Sequence, residues 1–182
     1  MPILGIIDSA KTGNQTAYES IATFVASGGE TSFQFTSIPQ TYTHLQMRYY
    51  IRGTDSGATS FSNIYLNGQA YTTTYSGHTV QSDGSVVGRN NIVSGGGIGN
   101  LFTPGAGATA NVFAAGIADV LDYTNTNKNK VVRVLHGHDA AGAGQIIFGG
   151  GQLLSTSTVT SMGIFNMTFA AGSRLALYGI RG

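Results

Sequence analysis

Short runs in which apolar and polar residues alternate recur along the chain between clusters of Gly, Asn, Asp and Ser, and this alternation predicts strands. The clearest run is Thr43 to Arg52. There Leu45, Met47, Tyr49 and Ile51 fall on one face, and His44, Gln46, Arg48, Tyr50 and Arg52 on the other. Strand side chains alternate with period two, so the first set is expected in the core and the second outside it. Phe33 and Phe35 alternate in the same way before Ile38-Pro39, where the proline suits a strand end. This segment is expected to neighbour the 43–52 strand. Phe61 to Leu66, Asn67-Gly68 and Gln69 to Tyr75 read as a hairpin, because Asn-Gly accepts the positive φ angles of a type I′ turn.

Later runs predict strands over Val131 to His138, Ile146 to Leu154 and Val159 to Phe169, with Leu175 and Leu177 alternating near the end. The Gly149-Gly150-Gly151 interruption predicts a bulge or a close contact. Tyr18, Ile21 and Val25 fit a helical stripe as well as a strand, as do Phe113, Ile117, Val120 and Leu121. β-Branched and aromatic content assigns both to strands. In the second, Gly116 also weakens a helix by about 1 kcal/mol relative to Ala. Thr124 to Lys130 reads as a solvated loop. Ser82 to Thr109 is Gly-rich with scattered apolar residues, and reads as one long loop, either a loose insertion or an ordered contact loop.

Eight to ten short strands and no helix predict an all-β fold, an antiparallel two-sheet sandwich of jelly-roll type, with a closed barrel as the alternative. The sandwich is assigned to residues 17–182. Residues 1–16 are assigned to an extended N-terminal arm, with an edge strand as the other reading. The apolar stretch Ile3-Leu4-Gly5-Ile6-Ile7 is far shorter than a membrane span and lacks the positive flank of a secretory signal. No membrane partner and no leader are expected.

Composition narrows the chemistry. Charged residues make up 9% of the chain and the formal net charge is +1, so no basic field gathers nucleic acid and no nucleic-acid partner is expected. Ser, Thr, Asn, Gln and Gly must carry the surface instead. With no cysteine, disulfides and thiolate metal sites are excluded.

Catalytic patterns are missing. No G-x-S-x-G elbow is present, and Ser85 in Asp83-Gly84-Ser85-Val86 reads as a turn residue. The acids Asp8, Glu19, Glu30, Asp55, Asp83, Asp119, Asp122 and Asp139 fall mostly in turns or at strand ends, without the facing pair that glycoside hydrolysis needs. His136 and His138 share a strand face and, with Asp139, form an arrangement resembling metal ligands, but solvent-facing or interface histidines are the expected reading. Asp119, Asp122, Asn125, Asn127 and Asn129 offer oxygen ligands without EF-hand spacing, and Gly95-Gly96-Gly97-Ile98-Gly99 lacks the Lys-Ser/Thr of a phosphate loop. The expectation is a non-enzyme with no catalytic, cofactor or metal site.

Tyr18-Glu19-Ser20-Ile21-Ala22-Thr23, the stretch from Phe33 to Arg48, Asp122 to Lys130 and the closing Leu175-Ala176-Leu177-Tyr178-Gly179-Ile180 resemble domains of tailed-bacteriophage structural proteins, found both as capsid decoration (cement) proteins and within fibres. The resemblance implies a virion protein. One compact domain behind a short arm favours decoration of the outer capsid surface, with the major capsid protein as partner and a homo-oligomer, dimer or trimer, as the state. Ile3, Leu4, Ile6 and Ile7 are the expected capsid anchors, an arm adding a strand to a neighbour's sheet. The competing expectation is a fibre or receptor-binding tip that reads a host surface glycan through loops such as 82–109.

Overall fold

A computed structural model of the chain describes residues 17–69, 73–95, 97–140 and 144–181. The predicted arm, with Ile3, Leu4, Ile6 and Ile7, lies outside the described residues. Among those described the structure is all β, with twelve strands and no helix. The strands are β1 (Tyr18–Val25), β2 (Phe33–Phe35), β3 (His44–Ile51), β4 (Thr59–Leu66), β5 (Tyr75–Ser82), β6 (Val87–Gly95), β7 (Ile98–Pro104), β8 (Ala114–Leu121), β9 (Lys130–His138), β10 (Gln145–Leu153), β11 (Met162–Phe165) and β12 (Arg174–Ile180). They form an eight-stranded sheet in the order β1-β12-β3-β8-β9-β10-β5-β6 and a four-stranded sheet in the order β2-β11-β4-β7. All the pairings are antiparallel.

The winding is that of a jelly roll with two insertions. β1 pairs β12, β2 pairs β11, β3 pairs β8 and β4 pairs β7, the pattern of one long ribbon rolled into two sheets of four. β5–β6 and β9–β10 are additions to that ribbon, and both join the larger sheet beyond β8. The core lies between the sheets. Leu45, Met47, Tyr49 and Ile51 of β3 point into it as the alternation predicts, against Ile64 and Leu66 of β4, Leu101 of β7 and Ile164 of β11.

Several connections depart from the sequence reading. Asn67 (φ 52°) and Gly68 (φ 67°) do form the expected turn, closed by the Gln69 N–H on the Leu66 carbonyl at 3.0 Å. The hairpin does not follow, because β4 pairs β7 and β11 while β5 crosses to the other sheet. The Asn67 side chain fixes this exit by donating to the Thr158 carbonyl and accepting from the Thr160 N–H, both at 2.8 Å. β2 is likewise a strand of the small sheet and no neighbour of β3.

The 82–109 segment is not one long loop, since β6 and β7 occupy most of it. Its remaining turn is ordered by Arg52, whose guanidinium is buried and donates to the carbonyls of Gly105, Ala108, Thr109 and Val112 at 2.7–3.1 Å. The predicted 159–169 strand is shorter, confined to Met162–Phe165. The Gly149–Gly151 run keeps its register on both sides and so is no bulge. A Cβ on Gly151 would lie 3.1 Å from Ile98, so this glycine permits a close approach of the two sheets.

Candidate functional site

The outer face of the eight-stranded sheet carries a row of aliphatic and aromatic side chains. Register places Arg48, Ile117, Leu135, Phe148, Val80 and Arg89 side by side across β3, β8, β9, β10, β5 and β6. Leu135 is 52% exposed and Phe148 57%. One step along each strand, the next row on the same face reads Tyr50, Ala115, Gly137, Ile146, Ser82 and Val87. Its centre holds two small residues, Ala115 and Gly137. A groove of about 860 Å³ lies over them, walled by Ile117, Leu135 and Ile146 and bordered by Arg48, Asp83 and Asp139. A ridge and a groove therefore run in parallel across the strands.

Electrostatics at the rim are settled locally. Arg133 pairs with Asp119 at 2.8 Å, and Gln46 donates to the other Asp119 oxygen, also at 2.8 Å. Arg48 lies over the rings of Tyr18 and Tyr178 and donates to Gln46. Asp83 accepts from the N–H groups of Ser85 and Val86 and from the Ser85 hydroxyl, bonds that hold its carboxyl down at about pKa 2. Ser85 is thus a turn residue bound to Asp83, as its sequence context suggests.

The histidine pair faces the other way. His136 is buried on the inner side of β9, its ring 5.6 Å from that of Tyr49, and Nε2 donates to the Phe102 carbonyl at 2.7 Å. Burial chiefly pushes its pKa down to about 4, so the ring is neutral at pH 7. That environment corrects the expectation of solvent-facing or interface histidines, for the sheet packs His136 into the sandwich. Among the described residues, no three His, Asp or Glu side chains converge as metal ligands would.

The Asn-rich loop between β8 and β9 has a cation of its own. The Lys130 side chain is buried, and its ammonium donates to the carbonyls of Asn125 and Lys128, while Lys128 pairs with Asp122. Of the side-chain oxygens that suggested a calcium loop, the Asp122 carboxylate is thus held by Lys128, the Asp119 carboxylate by Arg133 and Gln46, and the Asn125 side chain accepts from the Asn127 N–H.

The sequence reading missed the outer face, although a signal for it exists. Around the centre of the large sheet, apolar residues occupy both parities: Val131 and Leu135 beside Val132 and Val134, Ile146 and Phe148 beside Ile147, Ile117 and Leu121 beside Ala118 and Val120. Apolar residues at both parities put apolar side chains on both faces of a strand. What the fold and this face define is a jelly-roll sandwich with an added apolar outer face. Compared with known protein families, curated proteins and solved structures, the chain matches none.

Proposed function

We propose that the protein is a binding and assembly module without catalytic activity, serving as a decoration protein on the outer capsid surface of a tailed bacteriophage. The observation that carries the assembly part is the apolar ridge and groove on the larger sheet. Exposed patches of this extent mark interaction surfaces, because leaving them in water forfeits roughly 25 cal/mol per Å². The virion part is supported by the resemblance of the four segments named above. The mechanism is mass action: contacts that exist only on the assembled shell stabilise that shell in proportion to occupancy.

In this reading Ile3, Leu4, Ile6 and Ile7 anchor the chain on the major capsid protein. The test is co-sedimentation of purified protein with heads of the phage that carries its gene, using the full chain and a form lacking residues 1–10. Saturable binding of the full chain and lost occupancy of the shortened one are expected. Full occupancy without residues 1–10 sinks the anchor assignment. Binding to host surface glycan with no binding to heads replaces decoration by a receptor-reading fibre tip.

A further inference from the structure

We propose that the outer face of the eight-stranded sheet docks a second copy of this chain about a two-fold axis. The axis crosses the strands above the row Tyr49, Gly116, His136, Ile147 and Gln81, so that Ile117 and Leu135 of each copy enter the groove over Ala115 and Gly137 of the other. This inference goes beyond the virion reading and does not depend on it.

The register carries the argument. That inner row is continuous across β3, β8, β9, β10 and β5, with the ridge one residue to one side of it and the groove one residue to the other. Rotation about a line above the row exchanges the two rows. Ile117 meets Ala115, Leu135 meets Gly137, and Phe148 meets Ile146. Large side chains thus face small ones at the centre, as a self-complementary two-fold contact requires. The strands of the two sheets stay aligned, which is the common way for sheets to pack face to face.

Packing selects this axis over the alternative. Under it the large side chains of the ridge face the small ones of the groove. An axis parallel to the strands, between β9 and β10, would instead set Arg48 against Arg89 and stack ridge on ridge. Area agrees as well. Val80, Val87, Ile117, Leu135, Ile146 and Phe148 are all exposed and together offer on the order of 600 Å², at the upper end of the largest patch of a typical monomer and approaching one side of a standard interface.

Sedimentation equilibrium of the purified full chain tests the proposal without any capsid, so its outcome is separate from that of the virion reading. A dimer is expected. Leu135→Asp, which places a charge on the ridge, and Ala115→Trp, which fills the groove without adding charge, are each expected to weaken dimerisation at least about 100-fold while the far-ultraviolet spectrum is unchanged. Because the chain has no cysteine, a short bismaleimide is expected to join two Ala115→Cys chains and to leave Thr59→Cys chains, altered on the other sheet, unjoined. A monomer at every concentration overturns the proposal, and so does a dimer that survives both ridge and groove substitutions. A dimer that forms only after residues 1–16 are removed also overturns it, by showing that the chain's own N-terminal segment covers the face.

Discussion

The two sheets turn unequal outer faces to their surroundings. On the four-stranded sheet the outward side chains close on one another: Tyr65 and Phe165 meet edge to face at 5.1 Å, Phe61 and Phe102 at 5.4 Å, and Asn63 donates to Asn100 at 3.1 Å. Phe165 is 3% exposed there, whereas Phe148 on the larger sheet is 57% exposed. Both faces use aromatic and aliphatic residues. One is closed by its own side chains, and the other carries side chains that are half exposed or more. The exposed face is the one the insertions β9–β10 and β5–β6 enlarged, so the additions to the jelly roll bear most of its exposed apolar surface.

The largest test of this contrast is to empty the sealed face. Phe165→Ala removes a buried ring and leaves a cavity, and it is expected to cost about 3–5 kcal/mol in urea unfolding. A loss below 1 kcal/mol would mean that the small sheet's outer face is no better packed than the large one's.

The next effect is set by pH and belongs to the inner side of β9, one residue from the ridge. His136 has its pKa lowered to about 4, so between pH 6.5 and 4 the unfolded chain takes up a proton that the folded chain refuses. Stability therefore falls as pH drops through that window, by about 3 kcal/mol in all, and levels off below it. Burial lowers the pKa of His138 as well, which adds a loss of the same sign. Glu30, held at about pKa 2 by Ser27 and Gly28, contributes stability that is lost only below the ordinary carboxylate range. The upper part of the window is thus a histidine signal. Unfolding measured at pH 7 and pH 5 is expected to show the loss in the parent chain and a reduced one in His136→Gln, which keeps a donor for the Phe102 carbonyl. An equal loss in both places the titration elsewhere.

A smaller effect separates neighbours on β8. A Cβ on Gly116 would lie 2.3 Å from the Tyr49 hydroxyl, and Tyr49 is buried, so Gly116→Ala is expected to cost about 1–3 kcal/mol by overpacking. A melting temperature within a degree of the parent would show that Tyr49 moves aside freely.

Much of the fold is legible in the sequence, and the gaps have physical causes. β3 announces both its faces because every second residue is apolar, and the long-range partners of β8 and β12 do not disturb that local pattern. The hairpin after Asn67-Gly68 could not be judged locally. The dipeptide specifies a turn, while the strand that pairs with β4 comes about 35 residues later in β7, a choice made by packing. β6 and β7 were hidden because Gly and Asn dilute their alternation. Asn100 at φ 40°, beside Gly99 at φ 107°, also breaks the period where the β4–β7 register shifts. The outer face was readable only in outline: apolar residues at both parities announce a second apolar face, but ridge and groove emerge only when five strands are set in register.

The smallest expected effect is the sharpest for the contrast between faces. Phe148→Ala removes the same ring as Phe165→Ala, also from an outer face, but on the bare side that ring gains little from folding. At low protein concentration, where self-association contributes nothing, the substitution is expected to change unfolding free energy by no more than about 0.5 kcal/mol. At high concentration the parent gains stability from the second copy, and Phe148→Ala gains less, because the ring meeting Ile146 across the two-fold is gone. A melting temperature that rises with concentration in the parent and rises less in the variant ties the bare face to assembly. A loss of several kcal/mol at low concentration would instead mean that Phe148 is covered within a single chain, and the two faces would then differ in appearance alone.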